Sequence, residues 1–140
     1  MIIKKSEFVT SLAKIDNYVN LDIPEIAFVG RSNVGKSSLI NALTNRNKLA
    51  KTSSLPGRTR LVNYFLINDR FMLVDLPGYG FAKASKESQK EWQTLISGYL
   101  QCSEDLKIVF VLVDIRITPS ELDKQMLEYL YYYNIHFFIF

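Results

Sequence analysis

Short runs of consecutive apolar residues alternate along this chain with segments whose apolar residues recur every three or four positions. Residues 26–30, with Ile26-Ala27-Phe28-Val29, form the first clear run and read as a strand, and residues 36–46 carry helical spacing through Leu39, Ile40 and Leu43. Leu61 to Ile67 and Phe71 to Leu76 are two further runs, and their short connection, Asn68-Asp69-Arg70, predicts an antiparallel hairpin. Ser88 with Glu91 makes a capping box, so a helix runs from there to Leu100 or Cys102, with Trp92, Leu95, Ile96, Tyr99 and Leu100 on its buried face. Residues 108–113 are continuously apolar, the pattern of a parallel strand covered on both faces. Thr118-Pro119-Ser120-Glu121 opens another helix, with Pro at the first helical position and Leu122, Met126, Tyr129, Leu130 and Tyr133 as its buried stripe. Residues 136–140 read as a further buried strand. Ahead of all this, residues 1–24 form a lead-in, either an edge strand or a short helix. Residues 47–60 show no periodicity and form a long loop, and such loops are usually functional or mobile.

Alternating strands and helices indicate an α/β fold whose ligand lies at the carboxyl ends of the strands. A length of 140 residues suits a single domain over residues 1–140 with a sizeable core, and 48% hydrophobic with 22% charged residues is ordinary for a soluble globular protein. The net charge of +3 says little, but its distribution says more. No Asp or Glu occurs between Ile26 and Asn68, where Arg31, Lys36, Arg46, Lys48, Lys51, Arg58 and Arg60 all stand. A one-signed segment suits polyphosphate, with RNA beside it, or else is a solvated basic face. Cys102 is the only cysteine, so no internal disulfide and no Cys/His metal spacing exists, and its place near a helix end suggests packing. The first residues lack the apolar core of a signal peptide, and no apolar run approaches the roughly 20 residues of a membrane span. A cytoplasmic protein without membrane contact is expected.

Between the first strand and the first helix stands Gly30-Arg31-Ser32-Asn33-Val34-Gly35-Lys36-Ser37, a G-x-x-x-x-G-K-[ST] phosphate loop. Its glycines let backbone N–H groups close around phosphate oxygens, and the helix dipole favours negative charge there. Lys36 would reach the β- and γ-phosphates, and the Ser37 hydroxyl would ligate Mg2+. The fold class is therefore a P-loop NTPase three-layer sandwich, with a mixed, mostly parallel sheet and one antiparallel hairpin; the resemblance given below implies that it is C-terminally incomplete. Asp75-Leu76-Pro77-Gly78 follows an apolar strand. An Asp at such a strand end holds Mg2+ through a water, and Gly78 three residues on can offer its N–H to a γ-phosphate. Thr59, in the intervening loop, is placed to add a hydroxyl to Mg2+, with a plain surface threonine as the even alternative.

GRSNVGKS over residues 30–37, Pro56-Gly57-Arg58-Thr59, and Asp75 to Gly80 as DLPGYG resemble the EngB (YihA/YsxC) family of bacterial GTPases, in the Era/TrmE-like superfamily. So do Pro24-Glu25-Ile26-Ala27-Phe28 and Asp114-x-Arg116 with Pro119 and Asp123. The resemblance runs from the N-terminus to Phe140. It implies a GTP- and GDP-binding, Mg2+-dependent monomeric GTPase that assists assembly of the large ribosomal subunit, with a link to division septum formation. It also implies that Gly30, Arg31, Ser32, Asn33, Val34, Gly35, Lys36, Ser37 and Ser38 contact the nucleotide. Gly57, Arg58, Thr59, Arg60 and Leu61 would be switch I contacts, and Asp75, Leu76, Pro77 and Gly78 the switch II contact. Ser37, Thr59 and Asp75 would serve Mg2+, and Lys36, Asn33, Thr59 and Gly78 would act in catalysis. Asn33 matches the Asn with which relatives hold K+, an ion that would stabilise transition-state charge; a turn residue is the alternative. Tyr79 stands where Ras-like proteins carry a catalytic Gln. A phenol cannot orient water through an amide, so slow intrinsic hydrolysis is expected.

Two departures stand out. Ile117 replaces a frequent His, and the guanine-reading box Thr-Lys-x-Asp, which would follow the strand ending at Phe140, occurs nowhere in these residues. Without that Asp a site loses much of its discrimination against adenine, and the last strand becomes an exposed apolar edge. The rival reading is an RNA- or ribosome-associated factor with phosphate affinity, no guanine specificity and no turnover. A P-loop kinase or ATPase is a third, against which Asp75-x-x-Gly78 and Thr59 count.

Overall fold

The computed structural model describes residues 2–18, 20–32, 34–46, 61–80 and 86–140. Its strands are β1 (Ser6–Leu12), β2 (Glu25–Gly30), β3 (Val62–Ile67), β4 (Phe71–Asp75), β5 (Leu106–Leu112) and β6 (Phe137–Ile139). The helices are α1 (Lys36–Leu43), α2 (Lys86–Cys102) and α3 (Glu121–Tyr132), with a 3-10 turn at Ile15–Asn17. The strands make one six-stranded sheet in the order β1-β3-β4-β2-β5-β6. The β2 strand pairs in parallel with both β4 and β5, and β5 with β6, while β3 runs antiparallel to both of its neighbours, β1 and β4. The lead-in is thus an edge strand rather than a helix.

Alternation along β2 decides the layering. Ala27 and Val29 face one core with α2 and α3, through Leu95, Ile96, Tyr99, Leu100 and Leu130. Phe28 faces the other with α1, through Ile40, Phe65, Ile67, Leu73 and Leu112. Each fully buried Ile, Leu or Phe contributes about 1.5–3 kcal/mol of transfer free energy, so the two faces hold the sheet between helical layers. The predicted hairpin forms through the three-residue connection Asn68-Asp69-Arg70, in which Asn68 and Asp69 take positive φ, 51° and 53°, and the Arg70 amide donates to the Ile67 carbonyl at 2.9 Å. The Asn68 side chain also fastens the N-terminal segment, accepting from the Lys4 and Lys5 amides at 2.8 and 3.0 Å and donating to the Ile2 carbonyl at 2.8 Å.

Several boundaries and burial expectations are corrected. The first helix ends at Leu43, not residue 46, with Thr44 folding its hydroxyl back on the Ile40 carbonyl at 2.8 Å. The second begins at Lys86, two residues before Ser88. In the third, Ser120 is the N-cap, so Pro119 lies before the helix rather than at its first position; the box closes with Asp123. Tyr133 is the C-cap residue and is exposed, its ring against Tyr129 and Tyr132 instead of the core. Cys102 is exposed too, because it sits on the outer side of the last turn of α2.

The β5 strand is covered well on one face only. Val109 and Val111 are fully buried under α2 and α3, whereas Ile108 and Phe110 on the α1 side are half-buried. With eight residues α1 is about 12 Å long, too short to roof that whole side. Phe110 stacks instead between Phe28 and Phe138. The last strand, expected to be buried, has Phe138 and Ile139 exposed, and among the described strands it stands at one end of the sheet. Among the described residues no helix is long and apolar enough to cross a membrane.

Candidate functional site

The carboxyl ends of β2, β4 and β5 meet where the phosphate loop leaves the sheet. Gly30 ends β2 with no room for a side chain, since a Cβ would lie 3.0 Å from the Leu112 carbonyl oxygen and from Val34 Cγ1. The loop turns back through Arg31, whose carbonyl accepts from the Val34 amide at 3.2 Å. Gly35 then caps α1 with φ +99°, a left-handed conformation that an L side chain would strain. Among the described residues nothing lies within 4 Å of its ideal Cβ position. The first helical bond runs from the Leu39 amide to the Gly35 carbonyl at 2.9 Å. Amides of the first turn have no helical partner, which suits an anion.

Lys36 and Asp75 bridge the two motifs. The Lys36 ammonium donates to Asp75 Oδ1 in an ion pair whose side chains are only 11% and 8% exposed. The phosphate lysine and the strand-end carboxylate therefore neutralise one another across the site. Ser37 is half-buried and Ser38 exposed on the first turn of α1.

The Asp75-to-Gly78 segment does not project into solvent. Leu76, Pro77, Gly78 and Tyr79 are all buried. Gly78 presses on the phosphate loop, where an added Cβ would stand 3.1 Å from Ser32 Cα and 3.2 Å from its amide. Tyr79 pairs its backbone with the loop: its amide donates to the Gly30 carbonyl at 3.1 Å, and its carbonyl accepts from the Ser32 amide at 2.7 Å. The Tyr79 hydroxyl points the other way and donates to Asp123 Oδ1 at 2.6 Å. Its phenol ring is therefore buried and directed toward α3. Burial, with the Asp123 carboxylate beside it, pushes the Tyr79 hydroxyl far above the usual tyrosine range, so it remains a donor at all accessible pH.

A second clasp flanks the site beyond β5. Arg116 donates to Asp114 through Nε and Nη2, at 2.9 and 2.8 Å, and through its amide at 3.0 Å. Those bonds hold the Asp114 carboxyl down to about 2, with the Arg31 charge adding to the same direction.

Of the predicted nucleotide contacts, Gly30, Arg31, Ser32, Val34, Gly35, Lys36, Ser37 and Ser38 come together with Asp75, Leu76, Pro77 and Gly78. Leu61 is half-buried just before β3. Asn33, Gly57, Arg58, Thr59 and Arg60 lie outside the described residues. The Tyr79–Asp123 bond and the Tyr79 backbone pairing were not anticipated. Glycines on both sides of Tyr79, with Ser120 and Asp123 spaced as a cap, are the signals that point to them.

A sequence model described as 50S ribosome-binding GTPase matches residues 25–140. The GTP-binding protein EngB of Pelotomaculum thermopropionicum is 55% identical over 135 residues, and that of Fusobacterium nucleatum 59% identical over 133. The chain belongs to the EngB family of GTP-binding proteins. The matches cover 96% and 94% of this chain and 68% of each EngB relative. A crystal structure of an EngB GTP-binding protein superposes with a TM-score of 0.66 at 26% identity, covering 82% of this chain and 68% of that one. The matching model describes a GTPase, and the EngB relatives are GTP-binding proteins.

Proposed function

We propose that this chain is a GTPase switch of large ribosomal subunit assembly, with a connection to division septum formation, working as a cytoplasmic monomer in which residues 1–140 form one domain. The observation that carries the reading is the docking of Gly78 and Tyr79 on the phosphate loop with Lys36 and Asp75 between them. A γ-phosphate entering over α1 meets the Lys36 ammonium and the Gly78 amide together, whereas a diphosphate reaches only the loop amides and Lys36. The site can thus distinguish the two nucleotides.

The donor set suits Mg2+. Ser37 would ligate it, Thr59 would add a second hydroxyl, and Asp75 would act through water. When bound, Mg2+ neutralises charge on the phosphate oxygens. The chain's own part would be to exchange partners: Lys36 would leave Asp75 for phosphate, and Asp75 would then be free to help hold Mg2+ through a water. Asn33 would carry K+ as the supplement to transition-state charge. Tyr79 is turned inward and cannot orient the attacking water, which supports slow turnover until a ribosomal partner engages. The basic residues around switch I would meet rRNA phosphates.

The test is a titration of the 140-residue chain with fluorescent GDP and ADP in Mg2+ and K+, followed by turnover with and without large subunits. Tight guanine-selective binding and subunit-stimulated hydrolysis support the switch. Weak binding without base preference and no turnover would leave the rival: a ribosome-associated chain with phosphate affinity alone.

A further inference from the structure

We infer that Tyr79 is a positioning residue: held by Asp123, it pins the Gly78 amide at the mouth of the phosphate loop, so that γ-phosphate recognition depends on the first turn of α3. The inference rests on the reading of Gly78 as a γ-phosphate donor and deepens it.

Three independent features converge on this residue. Its backbone is locked to the phosphate loop on both sides, through the Gly30 carbonyl and the Ser32 amide, as an isolated parallel bridge between Arg31 and Tyr79. Its side chain, 6% exposed, ends on Asp123, which is 3% exposed. Asp123 is itself held in place, since its second oxygen accepts from the Ser120 amide at 2.9 Å and its own amide donates to Ser120 Oγ at 3.1 Å. Gly80 completes the lock: φ is +77°, and a Cβ there would stand 3.1 Å from Leu122 Cδ1, so the chain passes α3 with no slack. A residue tied to the phosphate loop by its backbone and to a helix cap by its side chain cannot shift at one end without loading the other. Movement of Gly78 toward or away from a γ-phosphate is therefore coupled to the α3 cap and to the loop carrying Ile115 and Ile117, whose side chains are 92% and 50% exposed. The same coupling, read in reverse, makes a partner touching that loop an influence on nucleotide preference.

Tyr79→Phe removes the hydroxyl and keeps the ring. The readout is the ratio of affinities for GDP and for GDPNP, a non-hydrolysable GTP analogue. Because both carry guanine, base recognition cancels in the ratio. Losing a buried bond to a carboxylate should lower GDPNP affinity roughly tenfold relative to GDP, while GDP itself changes little. Ser120→Ala removes the hydroxyl that holds the Asp123 amide, so it should shift the ratio in the same direction as Tyr79→Phe but by less, with GDP affinity again little changed. Gly78→Ala tests the underlying reading and should collapse the ratio. If Gly78→Ala collapses it and Tyr79→Phe leaves it within twofold of the parent chain, Tyr79 only fills space and the inference is wrong. If Gly78→Ala leaves it intact, Gly78 is not the γ-phosphate donor, and the role of Tyr79 falls with it.

Discussion

Glu25 offers the most direct test of how this fold is balanced. It opens β2 with no exposed surface, at the end of the sheet away from the phosphate loop. One carboxyl oxygen accepts from the Tyr99 hydroxyl at 2.5 Å and the Ser103 hydroxyl at 2.7 Å; the other has no partner among the described residues. Burial raises its pKa above the ordinary 4.5, the nearby Asp105 adds to that, and the two hydroxyls oppose it. A folded-state pKa above the unfolded one means that the contribution to stability is complete below the unfolded value and is lost as pH rises through the folded value. Within that window the folded chain holds one proton that the unfolded chain has released, so stability falls by about 1.4 kcal/mol per pH unit. For a domain of this size that is a Tm decrease of about 5 °C per unit. Glu25→Gln keeps an acceptor for Tyr99 and Ser103 and cannot ionise. Urea unfolding of both chains from pH 4 to pH 8 should therefore show Glu25→Gln gaining on the parent from about pH 4.5 upward, then running parallel to it once Glu25 is ionised in the folded state. Titrating groups that do not interact with Glu25 cancel in the difference. A difference that stays flat across the range, or has the opposite slope, would refute the reasoning.

Two other changes probe the site and the sheet edge. Lys36→Met should abolish nucleotide binding and, with no nucleotide present, also destabilise the chain by roughly 3 kcal/mol, because Asp75 is left with its charge buried and unpaired. Adding Asp75→Asn should recover most of that stability but no binding, as read by urea midpoints and calorimetry; an unchanged midpoint for Lys36→Met would mean the ion pair is not formed in solution. Ile139→Lys should reduce concentration-dependent light scattering without altering nucleotide affinity, since Ile139 is 57% exposed on the edge strand and a charge there opposes strand-to-strand association.

How much of this could be read from the residues follows from the range of the forces involved. The phosphate loop was legible because backbone geometry is local: two glycines and a lysine at fixed spacing between an apolar run and a helical one admit few conformations. The same holds for the Asn68-Asp69 turn, where residues tolerant of positive φ sit between two strands, and for the existence of every strand and helix from Glu25 onward. The presence of Asp75 at a strand end was also readable. What the local pattern could not decide was what each element lies against. A continuous apolar run reads the same whether one face or two are covered, so the half-buried Ile108 and Phe110 follow only from α1 being too short to reach them. Tyr133 kept its place in the stripe but fell at the C-cap, where the chain had already turned outward. Tyr79 shows the division most clearly. Its neighbours marked it as part of the nucleotide site, but the side chain answers to Asp123, 44 residues further on. A hydrogen bond across that separation exists only after α3 has packed beside β2, because no local preference brings the two groups together. The sequence by itself determined which backbone segments can hold phosphate; the packed structure decided which side chains hold those segments in place.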